Sequence, residues 1–150
     1  MIELRPLVVD DLDALAALER ASQPKPWSDA ALLVELVHAD AVVIGAFVDG
    51  ALAGYVALRR IVDECWVLNI ATHPSARRRG VGARLMDAAA ERGRAWLSSS
   101  LWLEVREGND GARALYERSG LAVVGRRPGY YPPLVDGAPR EAAILMSKAL

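Results

Sequence analysis

Three stretches of this 150-residue chain hold residue types whose spacing could do chemistry. The run Arg77-Arg78-Arg79-Gly80-Val81-Gly82 stands between a strand-like segment and a long helical one. Glu104 is a lone acid inside the apolar run Leu101-Trp102-Leu103-Glu104-Val105. Tyr116 follows Ala114 and Leu115 on a short helical segment. The remaining reactive types are scarce: Cys65 is the only cysteine, and His38 and His73 are the only histidines. A four-ligand Cys/His zinc site is therefore excluded within one chain, and no metal is expected. A Cys-His or Ser-His nucleophilic pair could form only through those few positions.

The glycine-containing run suits an anion. Gly80 and Gly82 allow a sharp turn and the close approach of a ligand to the backbone. The first N–H groups of the helix that follows have no partner inside it, and the helix dipole adds positive character there. Together these make a site suited to phosphate, and three arginines raise the local potential. The pattern R-x-x-G-x-G is neither G-x-x-x-x-G-K-[ST] nor G-x-G-x-x-G, because Leu85 stands where the latter needs its third glycine. A structural turn with solvated arginines is the simpler reading of the glycines alone. Glu104 offers a base: loss of hydration in an apolar strand favours the neutral carboxyl, which suits proton abstraction. It could instead be an edge residue paired with Arg106 or Arg113. Tyr116 could be plain core beside Ala112.

These groups need elements to hold them. A short strand over 2–5 ends at Pro6, and Asp10 and Asp11 open a helix over about 10–21. Ser28 is a good N-cap for a second helix, with Trp27 and Leu32 spaced for a hydrophobic staple. Runs at 41–48 and 52–59 flank Asp49-Gly50, the dipeptide that favours a two-residue type I′ hairpin turn. A third strand over about 65–71 leads into the arginine-glycine run and a helix reaching about Trp96. Leu101, Leu103 and Val105 alternate with Trp102, Glu104 and Arg106 on the next strand. Asn109 and Asp110 can cap a helix over about 111–119, which Gly120 stops. A strand over about 121–126, a proline- and glycine-rich loop over 128–139 and a last strand over 141–146 complete the chain. The order β-α-α-β-β-β-α-β-α-β-β predicts a single α/β domain with an antiparallel hairpin half and a βαβ half. No repeat or linker interrupts residues 1–150.

Composition bounds the function. There are 18 basic and 19 acidic residues, a formal net charge of −1, so no overall field draws the chain to nucleic acid or anionic lipid. A single cysteine fits a reducing compartment, no apolar run reaches the ~20 residues of a membrane helix, and Met1-Ile2-Glu3-Leu4-Arg5 lacks a signal-peptide pattern. A cytoplasmic globular protein, with neither nucleic acid nor membrane as partner, is expected.

The glycine turn between strand and long helix resembles the acetyl-CoA pyrophosphate site of the GNAT N-acetyltransferases. The ordered set Pro26-Trp27-Ser28, Leu68-Asn69-Ile70-Ala71, Arg77 to Gly82, Leu101 to Arg106, Asn109, Ala114-Leu115-Tyr116 and Gly129-Tyr130-Tyr131-Pro132 is similar to the RimI-type ribosomal-protein alanine N-acetyltransferases. It spans essentially the whole chain. The resemblance implies a GNAT fold: a mixed, mostly antiparallel sheet flanked by helices, with two central strands splayed around acetyl-CoA. It implies a bulge in the strand ending Asn69-Ile70-Ala71-Thr72, whose backbone holds the thioester carbonyl and pantetheine arm. It assigns Arg78, Arg79, Gly80, Val81, Gly82 and Ala83 to the pyrophosphate and Asn109 to the cofactor arm. Glu104 becomes the general base and Tyr116 the general acid, and Trp27, Glu64, Tyr130 and Tyr131 fall on the acceptor side. The chain departs from the family pattern at Leu121, where phenylalanine is usual, at Ala83, where a polar residue is frequent, and in a longer loop over 134–139.

The implied partner is a protein N-terminus, that of an alanine-start ribosomal protein. An α-amine has a pKa near ~8 against ~10.4 for lysine, so a modest base is enough for it. Two alternatives stay open on the sequence: acetylation of an internal lysine or a small-molecule amine, and acyl-CoA binding without turnover.

Overall fold

The structure, a computed structural model, describes residues 1–150. Seven strands form one sheet: β1 (Ile2–Pro6), β2 (Ala41–Val48), β3 (Ala51–Ile61), β4 (Glu64–Thr72), β5 (Ser100–Arg106), β6 (Ala122–Tyr131) and β7 (Glu141–Ala149). The helices are α1 (Leu12–Ser22), α2 (Asp29–Val37), α3 (Val81–Ala95) and α4 (Asp110–Arg118). Strand order is β1-β2-β3-β4-β5-β7-β6. Every neighbouring pair is antiparallel except β4 and β5. The fold class expected from the element order and the resemblance is the one observed.

Two cores lie on the two faces of this sheet. Leu15, Ala16 and Leu18 of α1 and Leu32 of α2 pack on Val43, Tyr55, Ala57 and Ala71. On the other face Val81, Leu85, Met86 and Ala89 of α3 and Tyr116 of α4 pack on Val56, Leu58, Leu101, Leu103 and Met146. Period-two alternation explains the division: Tyr55 and Ala57 point one way from β3, Val56 and Leu58 the other. Buried on both faces, β3 is the apolar spine of the molecule.

Local signals act as their chemistry dictates. Asp49 and Gly50 both have positive φ, at 52° and 82°, as a type I′ turn requires. Ser28 Oγ accepts the Ala31 N–H at 3.1 Å, and Asn109 Oδ1 accepts that of Ala112 at 3.3 Å. The predicted first helix is two pieces, a 3-10 turn over Val9–Asp11 and then α1.

One expectation fails at the C-terminal hairpin. Gly129, Tyr130 and Tyr131 lie in β6 rather than in the 128–139 loop, and Tyr131 pairs with Glu141. Pro128 and Gly129 are accommodated by a register shift between Arg127 and Tyr131, at the outer edge of the sheet where ladder bonds can be missed.

The feature that makes a site is a fork. β4 and β5 pair in parallel only from Glu64 and Ser100 to Val67 and Leu103. Beyond that, β4 carries a bulge: Leu58 pairs with Val67 and Ala57 with Asn69, leaving Leu68 extra. The added residue bends β4 away from β5. Trp66 and Trp102 stack just below the fork, with ring centroids 5.7 Å apart.

Candidate active site

Two cavities open where β4 and β5 part. The first, about 630 Å³, is bounded by the α1–α2 connection, the fork and the β6–β7 loop. The second, about 650 Å³, runs from the fork to the start of α3 and along α4. Gln23, Pro24, Ile70, Asn109 and Tyr116 line both, so the two meet at these residues.

The second cavity is built for an anionic, extended ligand. Its lining includes Ile70, Ala71, Thr72, Arg78, Gly80, Val81, Gly82, Ala83 and Asn109. Arg79, assigned to it from sequence, does not line it, whereas Arg77 does. Gly80 has φ +79° and Arg78 φ +63°, so the backbone curls before α3 begins. The first bond of the helix runs from Arg84 N–H to Gly80 C=O, which leaves the N–H groups of Val81, Gly82 and Ala83 without a helical partner. Gly54 lets this end of α3 lie close to β3: a Cβ there would meet Val81 Cγ1 at 2.7 Å and Ala71 O at 3.0 Å.

The first cavity holds the carboxyl group that the sequence singled out as a candidate base. Glu104 lines it, on the face of β5 opposite the buried Leu103 and Val105. Its Oε2 is buried without a hydrogen-bond partner in the protein. Its Oε1 is 3.7 Å from Arg127 Nη2. β5 is an inner strand, so the alternative of an edge residue paired with Arg106 or Arg113 does not hold. Nor is the setting wholly apolar, since a guanidinium faces the carboxylate.

Tyr116 is 6% exposed and stands at the junction of the cavities. Burial, together with the nearby Tyr131, pushes its hydroxyl up to about 12, so it keeps its proton at neutral pH. Tyr131 is likewise pushed up to about 12, by burial first and then by Glu104.

The wall between the β5–α4 turn and the β6–β7 loop is tied together. Arg106 donates to Pro132 C=O at 2.8 Å and to Glu141 Oε1 at 3.2 Å, and lies over the Tyr131 ring. Glu141 Oε2 accepts the Gly108 N–H at 2.8 Å.

Of the acceptor-side candidates, Trp27 and Tyr131 line the first cavity. Tyr130 does not; its ring packs edge-on against Tyr131 and lies under Arg127. Glu64 is also outside it: at the start of β4 it pairs with Ser100 and accepts from Trp66 Nε1 at 3.1 Å. Six residues of extended strand separate it from Ile70, about 20 Å. Sequence reasoning missed Gln23, Arg106 and Glu141 in the lining. Only the position of Gln23 at the end of a helix, ahead of Pro24, hinted at one of them. Cys65 is buried, and His73 caps a turn by accepting the Ser75 N–H.

Comparison with known proteins matches residues 12–121 to the model of the acetyltransferase (GNAT) family. The chain belongs to that family. A ribosomal protein bS18-alanine N-acetyltransferase of Escherichia coli K12 is 31% identical over 94% of this chain and 93% of the relative. One from Haemophilus ducreyi is 30% identical over 94% and 95%. The crystal structure of the E. coli ribosomal-protein-S18-alanine N-acetyltransferase superposes with a TM-score of 0.91 at 29% identity, covering 99% of this chain and 94% of that one. Arabidopsis NAA60, 20% identical with a TM-score of 0.85, shares the fold. As a GNAT acetyltransferase the chain is an enzyme, and the forked sheet is its family architecture. No helix is long and apolar enough to cross a membrane, and no cluster of metal-ligating side chains is present.

Proposed function

We propose that this acetyltransferase moves the acetyl group of acetyl-CoA to the N-terminal α-amine of a protein, an alanine-start ribosomal protein, in the cytoplasm where ribosomes are. The observation that carries the reading is the buried, unpartnered Oε2 of Glu104 in a cavity that meets the cofactor-side cavity at Tyr116. A buried carboxylate oxygen without a donor calls for one, and an ammonium or a water-bridged amine supplies it. The names of the relatives from E. coli and H. ducreyi support the choice of acceptor.

In this reading the N–H groups opening α3 and the nearby Arg77 and Arg78 hold the pyrophosphate of acetyl-CoA. The donor's arm follows the parted edge of β4 past Ile70 and Thr72. Acetyl-CoA supplies an activated thioester, so the enzyme needs no nucleophile of its own. Glu104 takes the proton of the incoming amine, directly or through a water, and Tyr116 gives its proton to the departing thiolate. The β6–β7 loop and the α1–α2 connection with Trp27 enclose the start of the acceptor chain.

The test is a thiol-release assay with peptides that begin with Ala, Ser or Met, beside N-terminally blocked peptides bearing lysine, and small amines. Turnover of alanine-start peptides is expected, with the acetyl group on the α-nitrogen by mass spectrometry. Turnover confined to lysine side chains or small amines overturns the acceptor.

A further inference from the structure

On the β4 side of the fork, across from Glu104 on β5, lies a carboxyl group that the chemistry above does not use. Glu19 on α1 is 0% exposed, and no arginine, lysine or histidine pairs with it. A buried carboxylate without a cation is a poor source of stability. What it does is accept from three different elements. Its Oε1 takes the Tyr55 hydroxyl of β3 at 2.6 Å. Its Oε2 takes Asn69 Nδ2 of β4 at 3.1 Å and the Trp27 N–H of the α1–α2 connection at 2.9 Å.

Consequences run through Asn69. The amide nitrogen of Asn69 faces Glu19 and Tyr55 together: it donates to Glu19 Oε2 and, at 2.7 Å, to the Tyr55 hydroxyl that Glu19 itself holds. Its Oδ1 is thereby turned the other way, where it accepts the Ile70 N–H and Gln23 Nε2, both at 3.0 Å. Gln23 Nε2 also donates to Ile70 C=O at 3.1 Å. Both backbone groups of Ile70, at the junction of the two cavities, are thus held by side chains whose orientation traces back to the buried Glu19 and the Tyr55 hydroxyl bonded to it.

We propose that Glu19 is a positioning residue for acetyl transfer: it fixes Ile70 on the acyl side and Trp27 on the acceptor side in one mutual geometry. The proposal rests on the reading of Ile70 as part of the donor side and deepens it. Near-attack alignment is sensitive, and a displacement of 1 Å can lower turnover by ~10²-fold. In this reading free CoA is held mainly by its pyrophosphate at the distant start of α3, so its affinity is expected to depend little on Glu19 even though its arm passes Ile70.

Glu19→Gln keeps the volume but removes one acceptor: its amide nitrogen either replaces Oε2 and faces the Trp27 N–H and the Asn69 amide together, or replaces Oε1 and faces the Tyr55 hydroxyl, which already accepts from Asn69 and is left without an acceptor for its own proton. It is expected to lower kcat by roughly 10- to 100-fold and raise the acceptor KM, with the calorimetric Kd of CoA within about twofold of the parent. In the double variant Glu19→Gln, Asn69→Asp, the amide introduced on α1 donates to the new carboxylate on β4, which still accepts from Ile70 and Gln23. It is expected to regain kcat while the acceptor KM stays raised, because the Trp27 N–H has no acceptor back. Val43→Ala, in the same core cluster but outside the network, serves as a stability control and keeps the parent kcat. Rates are read on whichever amine the parent acetylates. An acceptor other than an alanine α-amine therefore overturns the acceptor reading without touching this one. Unchanged kcat in Glu19→Gln overturns the proposal. So does loss of kcat and CoA affinity together in proportion to the fall in Tm, or a double variant no better than the single one. If Glu19→Gln does not fold, the double variant decides alone: parent-like acceptor KM overturns the proposal, and raised acceptor KM with recovered kcat supports it.

Discussion

Glu104 and Tyr116 stand on opposite faces of the sheet at the fork, and in the proposed turnover Glu104 takes a proton while Tyr116, which keeps its own at neutral pH, gives one. Glu104→Gln and Tyr116→Phe are each expected to lower kcat by about 10²–10⁴-fold with little change in melting temperature; initial rates and thermal melts check this, and an unchanged rate removes the role of that residue. The pH profile is a separate prediction. With Tyr116 pushed up to about 12, the donor stays protonated as pH rises from 6 to 10. kcat/KM should therefore climb as the acceptor amine loses its proton near pH ~8 and then hold level. A falling limb centred near pH 9 would assign the proton donor to another group. The element and face of each residue were legible in a periodic pattern, whereas the acid role of Tyr116 came only from the family resemblance. Glu64 was misplaced for the converse reason: alternation gives a face but not a position along it. The Glu19 network was invisible because its partners lie 36 and 50 residues away, at Tyr55 and Asn69, and nothing local marks Glu19 as other than a solvated helical acid.

At the scale of elements, the site is two departures from regular structure, the Leu68 bulge in β4 and the left-handed turn into α3. The turn gives a direct prediction. Gly80 has φ +79° and open space where a Cβ would stand, so Gly80→Ala clashes with nothing and is strained only by its backbone. It should cost about 1 kcal/mol of stability and raise the Kd of CoA, with kcat at saturation close to the parent. A parent-like Kd would show that the turn does not hold the pyrophosphate. Gly54→Ala acts differently, since its Cβ would push Val81 and with it the start of α3 off the sheet. Capping residues and the Asp49-Gly50 turn were legible because their chemistry is local. The length of β6 was not: Pro128 and Gly129 read as loop, and only pairing with β7 carries the strand to Tyr131.

For the whole molecule, the upward shifts of several buried groups predict where the fold gives way at alkaline pH. Burial pushes the Cys65 thiol up to about 11, with a small opposing pull from Arg92, and pushes Tyr55 upward as well, with its Glu19 hydrogen bond adding to the effect. Tyr116 and Tyr131 reach about 12. Each folded-state value lies above the unfolded one, so the folded state binds these protons more tightly. The stability they contribute is complete below the unfolded values, near pH ~8.5 for the thiol and ~10 for the phenols, and is lost as pH rises through the folded ones. The melting temperature should hold level from pH 6 to 8, begin to fall near pH 9 as unfolded Cys65 ionises, and drop steeply between pH 10 and 12. Cys65→Ala separates the contributions. Its melting temperature is lower at pH 7, because a buried side chain is truncated, yet the onset of the fall moves up by about one pH unit, to where the phenols begin. An onset unmoved in Cys65→Ala would assign the first loss to another group, and a melting temperature still level at pH 12 would mean that the three tyrosines are as free to ionise folded as unfolded.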